Sequence, residues 1–176
     1  MKQLLLAILF STPCYAGSVY IDQVGDNNNT FVEQTSSGNS EAILLNNGSN
    51  NTTTVVQNGS GDHAAFIGTP PVGKNSDGTY ITNSNSQNNS SNNFTILQTG
   101  GGNHTASINL DPTTSNSNNT ASITQSGDAD KSFILKLSGS NIGATVVQDN
   151  PTTPDSGSMS IQCYTGNCSG YSYTKH

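Results

Sequence analysis

Arginine and tryptophan are absent from this 176-residue chain, and charged residues make up only 9% of it. The five basic residues are all lysines, set against eleven Asp and Glu. Without a basic patch to displace counterions from phosphate, nucleic-acid binding is excluded as a function class. Cysteine is scarce, with three residues, and proline occurs six times. Beyond residue 16 no stretch approaches the roughly 20 apolar residues of a spanning helix, so the chain is not expected to cross a membrane. What is abundant is Asn, Ser, Thr and Gly. That composition alone points toward disorder. The low charge and the regular placing of Ile, Val, Leu and Phe point the other way.

Residues 1–16 read as a secretory signal peptide. Lys2 supplies the positive start, Leu4 to Phe10 the apolar run, and Cys14-Tyr15-Ala16 a small-x-small cleavage site. A lipoprotein reading of Cys14 is disfavoured, because Ser11 stands where an apolar residue belongs. The expected product is secreted, about 160 residues long and sized for one domain. Losing Lys2 leaves four lysines against eleven acids, and 4 − 11 gives a formal charge of −7. Of the cysteines, Cys163 and Cys168 remain. In an oxidising compartment this spacing suggests a disulfide loop around Tyr164 to Asn167, with free thiols or an intermolecular bridge as the alternatives.

The chain repeats itself. Gln23, Gly25, Asn28 and Gln34 reappear as Asn46, Gly48, Asn51 and Gln57, each shifted by 23 residues. A period of this size marks a stacked array whose units bury their cores only against their neighbours. Six copies can be traced, over 17–39, 40–62, 63–91, 92–118, 119–141 and 142–163, with a tail at 164–176. The third starts at His63 and breaks at Pro70, Pro71 and Gly73, with a return strand expected near Thr79 to Ile81. The fourth carries Gln98, Gly100 and Asn103, and the fifth carries Gln125, Gly127 and Asp130. The sixth starts at Ile142, reaches Gln148, takes an insertion at Asn150 to Gly157 and returns through Met159 to Cys163.

Each copy holds two apolar-polar alternating runs separated by a Gly/Asn/Asp turn, the pattern of strand-turn-strand. In the second copy Ser40, Ala42, Leu44 and Asn46 share one face, and Asn51, Thr53, Val55 and Gln57 form the matching set. The turn glycines Gly25, Gly48, Gly100 and Gly127 are candidates for positive φ. Pro70, Pro71, Pro112, Pro151 and Pro154 all fall outside the expected strands, as an unbroken hydrogen-bonded ladder demands.

The run Ser40-x5-Asn46-x-Gly48-x2-Asn51-x-Thr53-x3-Gln57 resembles the curlin repeat of bacterial curli subunits, and the resemblance extends over about residues 17–163. It departs from that repeat where Asn46 replaces a glutamine, where Asp62 and Asp130 replace asparagines, and where Lys136 stands at an expected second-strand glutamine. The resemblance implies an all-β solenoid of about six rungs that polymerises into an extracellular functional amyloid. It also implies a nucleator and an outer-membrane secretion pore as partners.

Physical reasoning points toward self-association as well. A single 23-residue repeat buries too few aliphatic side chains to offset the conformational entropy of ordering it, and its net hydrogen bonds narrow that gap without securely closing it. Stability must therefore come from stacking, including amide ladders in which each side chain bonds its counterparts above and below. The expected ladder residues are Gln23, Asn28, Gln34, Asn46, Asn51, Gln57, Gln98, Asn103, Gln125, Asp130 and Gln148.

Signals for other chemistry are weak. His63, His104 and His176 lack ligand spacing and read as turn-adjacent polar residues, not as a metal site. Asp128 and Asp130 do not fit the nonapeptide period of a calcium roll. Gly100 to Gly102 precede no Lys-Ser/Thr, as a phosphate loop would require. No cofactor and no enzymatic activity are expected. The leading expectation is a fibre subunit that stacks head to tail in a biofilm matrix or surface coat. The alternatives are a monomeric capped solenoid acting as an adhesin or ice-binding module, and a minor nucleator of such a fibre.

Overall fold

The computed structural model describes residues 5–10 (backbone only), 17–76, 80–81 and 89–176, and no helix occurs among them. Strand β1 (Leu5–Phe10) precedes the repeats. Rung one is β2 (Ser18–Val24) and β3 (Asn29–Ser36), and rung two is β4 (Glu41–Asn47) and β5 (Thr52–Gly59). Rung three opens with β6 (His63–Gly68), then detours through β7 (Gly73–Lys74) and β8 (Tyr80–Ile81), and returns on β9 (Asn93–Gly100). Rung four is β10 (His104–Leu110) and β11 (Thr120–Ser126). Rung five is β12 (Lys131–Gly139) and β13 (Ile142–Gln148), and rung six is β14 (Asp155–Cys163) and β15 (Cys168–Lys175).

The first strands of the rungs form one parallel sheet, in the order β2-β4-β6-β10-β12-β14, here called the outgoing sheet. The second strands form the return sheet, β3-β5-β9-β11-β13-β15, with β1 parallel on the outer edge of β3. The chain is thus a β-solenoid of about six turns.

Alternation makes the core. Ala42, Leu44 and Asn46 point inward from β4, and Thr53, Val55 and Gln57 point inward from β5. In-register pairing turns each inward position into a column: Leu44, Ile67, Ile108 and Leu135 on the outgoing sheet, and Val32, Val55, Ile96, Ile123 and Val146 on the return sheet. Size is matched along the columns. Phe133 lies between Ala106 and Gly157, and a Cβ on Gly157 would sit 2.7 Å from the Phe133 ring. Interiors packed this closely leave no slack for a second large side chain.

Three expectations are corrected by the structure. First, Tyr80–Ile81 is no return strand. It pairs antiparallel with β7, and the Tyr80 ring meets Tyr20 edge-on at 4.9 Å, over the outer face of rung one. Thr79 and the Asn- and Ser-rich residues 82–88 lie outside the described residues. Second, the copies that start at Asn92 and Asn119 open on return strands, whereas those at Gly17 and Ser40 open on outgoing strands. The cause is a half-rung symmetry. Gln57-x-Gly59-x2-Asp62 closes a rung with almost the same letters that turn Gln23-x-Gly25-x2-Asn28 inside one. An insertion that is not a multiple of the period then hides the slip. Third, the C-terminal tail is not outside the stack. Its Cys168–Lys175 segment is β15, paired with β13, and Asp155 to Gly157 belong to β14. Lys136 is likewise on the outgoing sheet, facing out, and Gln148 supplies the rung-five glutamine.

Candidate functional site

The second-strand glutamines form one continuous ladder. Gln34 donates from Nε2 to Gln57 Oε1 at 2.8 Å, Gln57 to Gln98 at 2.9 Å, Gln98 to Gln125 at 3.0 Å and Gln125 to Gln148 at 2.8 Å. Each Nε2 also donates to a carbonyl at the start of the outgoing strand of its own rung. The acceptors are Ser18, Glu41, Ala64, Thr105 and Ser132. One amide therefore ties neighbouring rungs together and ties the two sheets of a rung. Gln57, Gln98, Gln125 and Gln148 are fully buried, so these bonds replace every lost water contact.

A second ladder runs along the corner between outgoing and return strands. Asn28 Oδ1 accepts from the backbone N–H and Nδ2 of Asn51 at 3.0 and 3.1 Å, and Asn51 Oδ1 accepts the same pair from Asn92. Asn92 Oδ1 then accepts the Asn119 N–H, and Asn119 Oδ1 the Ile142 N–H, where the ladder stops. The free Nδ2 protons reach corner carbonyls such as Gly48 O and Asn89 O. Asn92 and Asn119 are not among the expected ladder residues, because the sequence pattern makes them the starts of copies. Their signal is the corner tetrad Gly48-Ser49-Asn50-Asn51, which returns as Asn89-Ser90-Ser91-Asn92 and Asn116-Ser117-Asn118-Asn119. The third residue of each tetrad has positive φ, between 56° and 60°.

Other expected ladder residues sit elsewhere. Asn103 and Asp130 are exposed at the opposite corner, between rungs, where each Oδ1 accepts a backbone N–H from the rung before, Asp62 and Asn103 respectively. The half-rung slip accounts for their misplacement. Gln23 and Asn46 pair in register on the outgoing sheet and donate across the core to Thr30 and Thr53. Their column does not continue as amides, for rungs four to six place Leu110, Leu137 and Ile161 there. The four turn glycines all have positive φ, Gly25 and Gly48 at the inner corner and Gly100 and Gly127 between rungs. At Gly48 (φ 127°) the requirement is also steric, since a Cβ would lie 1.9 Å from Asn89 O.

Facing the glutamine ladder is a column that sequence reasoning did not assemble: Ser40, His63, His104, Lys131 and Asp155, all buried. The His63 and His104 rings stack at 5.0 Å. Their Nε2 atoms bond Asn58 O and Thr99 O, and their Nδ1 atoms have no partner among the described residues. Burial pushes both imidazole pKa values down; the His104 charge adds to this at His63, and the Lys131 charge at His104. These histidines are turn-adjacent, as the first residues of β6 and β10, but they are buried in the core and neutral. Lys131 donates from Nζ to Thr153 O at 2.7 Å.

The two ends of the stack differ. At the C-terminal end Gln148 donates to Asp155 Oδ2 at 2.8 Å, and Lys175, at the ladder position in β15, donates to Asp155 Oδ1 at 2.8 Å. Burial opposes ionisation of Asp155, but the bonds from Lys175 and Gln148 and the two lysine charges outweigh it and hold its pKa down. Cys163 and Cys168 are disulfide-bonded and close the last corner. At the N-terminal end the Oε1 atoms of Gln23 and Gln34 are buried without a partner among the described residues. Among the described residues no group of three or more His, Cys, Asp or Glu side chains is placed to hold a metal.

Compared with protein-family models, curated proteins and solved structures, the chain matches none.

Proposed function

We propose that this chain is the structural subunit of an extracellular, curlin-like amyloid fibre, exported after loss of residues 1–16 and polymerised by stacking rung on rung. What carries the reading is the glutamine ladder. It is continuous through five rungs and ends, at Gln34, in an acceptor with no partner among the described residues. Parallel sheets with open terminal edges template further strands, and the return-sheet edge at β3 takes one in β1. A secretion pore and a nucleator enter this reading as partners by resemblance to curli.

The test is direct. Purified chain starting at Gly17, incubated at high concentration, should form thioflavin-binding fibres that diffract at about 4.7–4.8 Å and about 10 Å. A chain that remains monomeric in light scattering sinks the proposal.

One observation favours a second reading, a monomeric adhesin or ice-binding solenoid. Thr54, Thr95, Ser122, Thr145 and Ser172 form an outward hydroxyl column on the return sheet through rungs two to six. Thermal hysteresis or saccharide binding by a monodisperse monomer would decide for it.

A further inference from the structure

The glutamine ladder has a direction. Every step donates from an earlier rung to a later one, so its first member lacks a donor and its last must discharge an N–H. The last glutamine, Gln148, discharges into Asp155, and the ladder position one rung further on is filled by Lys175. An ammonium carries three donors. Lys175 gives one to Asp155, and its side chain is 51% exposed. At the other end, Gln34 offers a buried Oε1 with no partner among the described residues. Covering this acceptor with a second copy costs free energy unless a donor meets it, and a charged donor makes a stronger bond than a neutral one.

We infer that the junction between two copies is Lys175 of one chain donating to Gln34 Oε1 of the next. The inference rests on the stacking reading above and deepens it. Continuing the register places β15 of one copy beside β3 of the next, and β14 beside β2. In this register Lys175 follows Gln148 in the column and precedes Gln34, with the donor direction preserved across the boundary. Neighbouring columns fit by size. Gly157 would meet Val19, Met159 would meet Ile21, and the broad rings of Tyr171 and Tyr173 would meet Thr30 and Val32. Gly17, without a side chain, leaves room over the Asp155 carboxylate.

Two features sharpen the geometry. β15 departs from β13 by an irregularity between Cys168 and Tyr171, so its matched stretch is Tyr171 to Lys175, the half that carries the donor. The β3 edge accepts a parallel strand, since β1 pairs with it from Leu5↔Asn29 to Phe10↔Gln34. Residue 10 of β1 thus holds the register place that Lys175 of another copy would take.

The experiment compares seeded elongation of the full chain and of the chain starting at Gly17, with the variants Lys175→Gln and Lys175→Glu. Lys175→Gln keeps an N–H donor in the column and should elongate within about twofold of the parent. Lys175→Glu sets a carboxylate against the Gln34 oxygen and should elongate about tenfold more slowly, the factor for losing one charged hydrogen bond. The full chain, with β1 on the β3 edge, should elongate more slowly than the chain starting at Gly17. A Lys175→Glu chain still carries an intact Gln34, so small amounts should arrest one of the two ends of parent fibres, seen by time-resolved atomic force microscopy. A Lys175→Glu chain whose urea midpoint matches the parent's, so that the loss of its own bond to Asp155 has not unfolded rung six, but which arrests neither end overturns the junction. Equal elongation of Lys175→Glu and parent overturns the junction while leaving the fibre reading intact. Failure of the parent chain to form fibres overturns the fibre reading itself.

Discussion

The first two rungs and the fourth and fifth solve the same geometric problem with different chemistry. In rungs one and two the outgoing strand ends in Gln23 or Asn46, each bonded across the core to a threonine, Thr30 or Thr53. In rungs four and five the same columns hold Leu110 and Leu137 against Ala121 and Ala144. Phe94 in rung three marks the change on the return sheet. The amide at the end of the outgoing strand is therefore optional, because an aliphatic pair fills that space without leaving a donor unmet. The glutamine ending the return strand is not optional. It runs unchanged from Gln34 to Gln148, since its Nε2 also satisfies a carbonyl of the opposite sheet and faces a polar column at every rung.

The comparison can be tested first where the apolar zone is densest. Phe133→Ala should destabilise by about 3–5 kcal/mol, read from the urea midpoint, because its two column neighbours are Ala106 and Gly157 and neither can fill the void. A loss below about 1 kcal/mol would mean that the rung-five core is not packed as described.

Next comes a matched pair. Gln98→Leu strips the acceptor from Gln57 and the donors from Ala64 O, His104 O and Gln125 Oε1, and should cost about 3 kcal/mol. Gln23→Leu combined with Thr30→Ala places in rung one the aliphatic pair that Leu110 with Ala121 and Leu137 with Ala144 already supply, and should fall within about 1 kcal/mol of the parent. Equal costs in urea denaturation would erase the distinction between the two glutamine columns.

The smallest expected effect is the onset of acid sensitivity. His63 and His104 have folded-state pKa values below the ordinary imidazole value of about 6.5, so the unfolded chain binds more protons as pH falls below it. Stability is full above that pH and declines as acidity rises through it. Asp155, whose pKa is also held down, contributes stability above the ordinary carboxylate value, lost only at lower pH. The double variant His63→Gln, His104→Gln should flatten the first decline and leave the second, as measured by thermal melts between pH 2 and 8. An unchanged first decline would refute the assignment to these rings.

The 23-residue spacing, the inward faces of the second copy and the exclusion of proline from strands were legible because each is a local property of backbone geometry. Period-2 alternation assigns a face, a glycine permits a turn, and a proline forbids a ladder bond wherever it stands. The phase after the first insertion was not legible, since Gln-x-Gly-x2-Asn/Asp ends either half of a rung and reads alike in both. Only the folded stack decided that Gln98 aligns with Gln57, that His63 lies on His104 although 41 residues separate them, and that the last strand belongs to the sheet. Columns are relations between distant residues, set by which strands pair after loops of unequal length, and no local preference encodes that pairing.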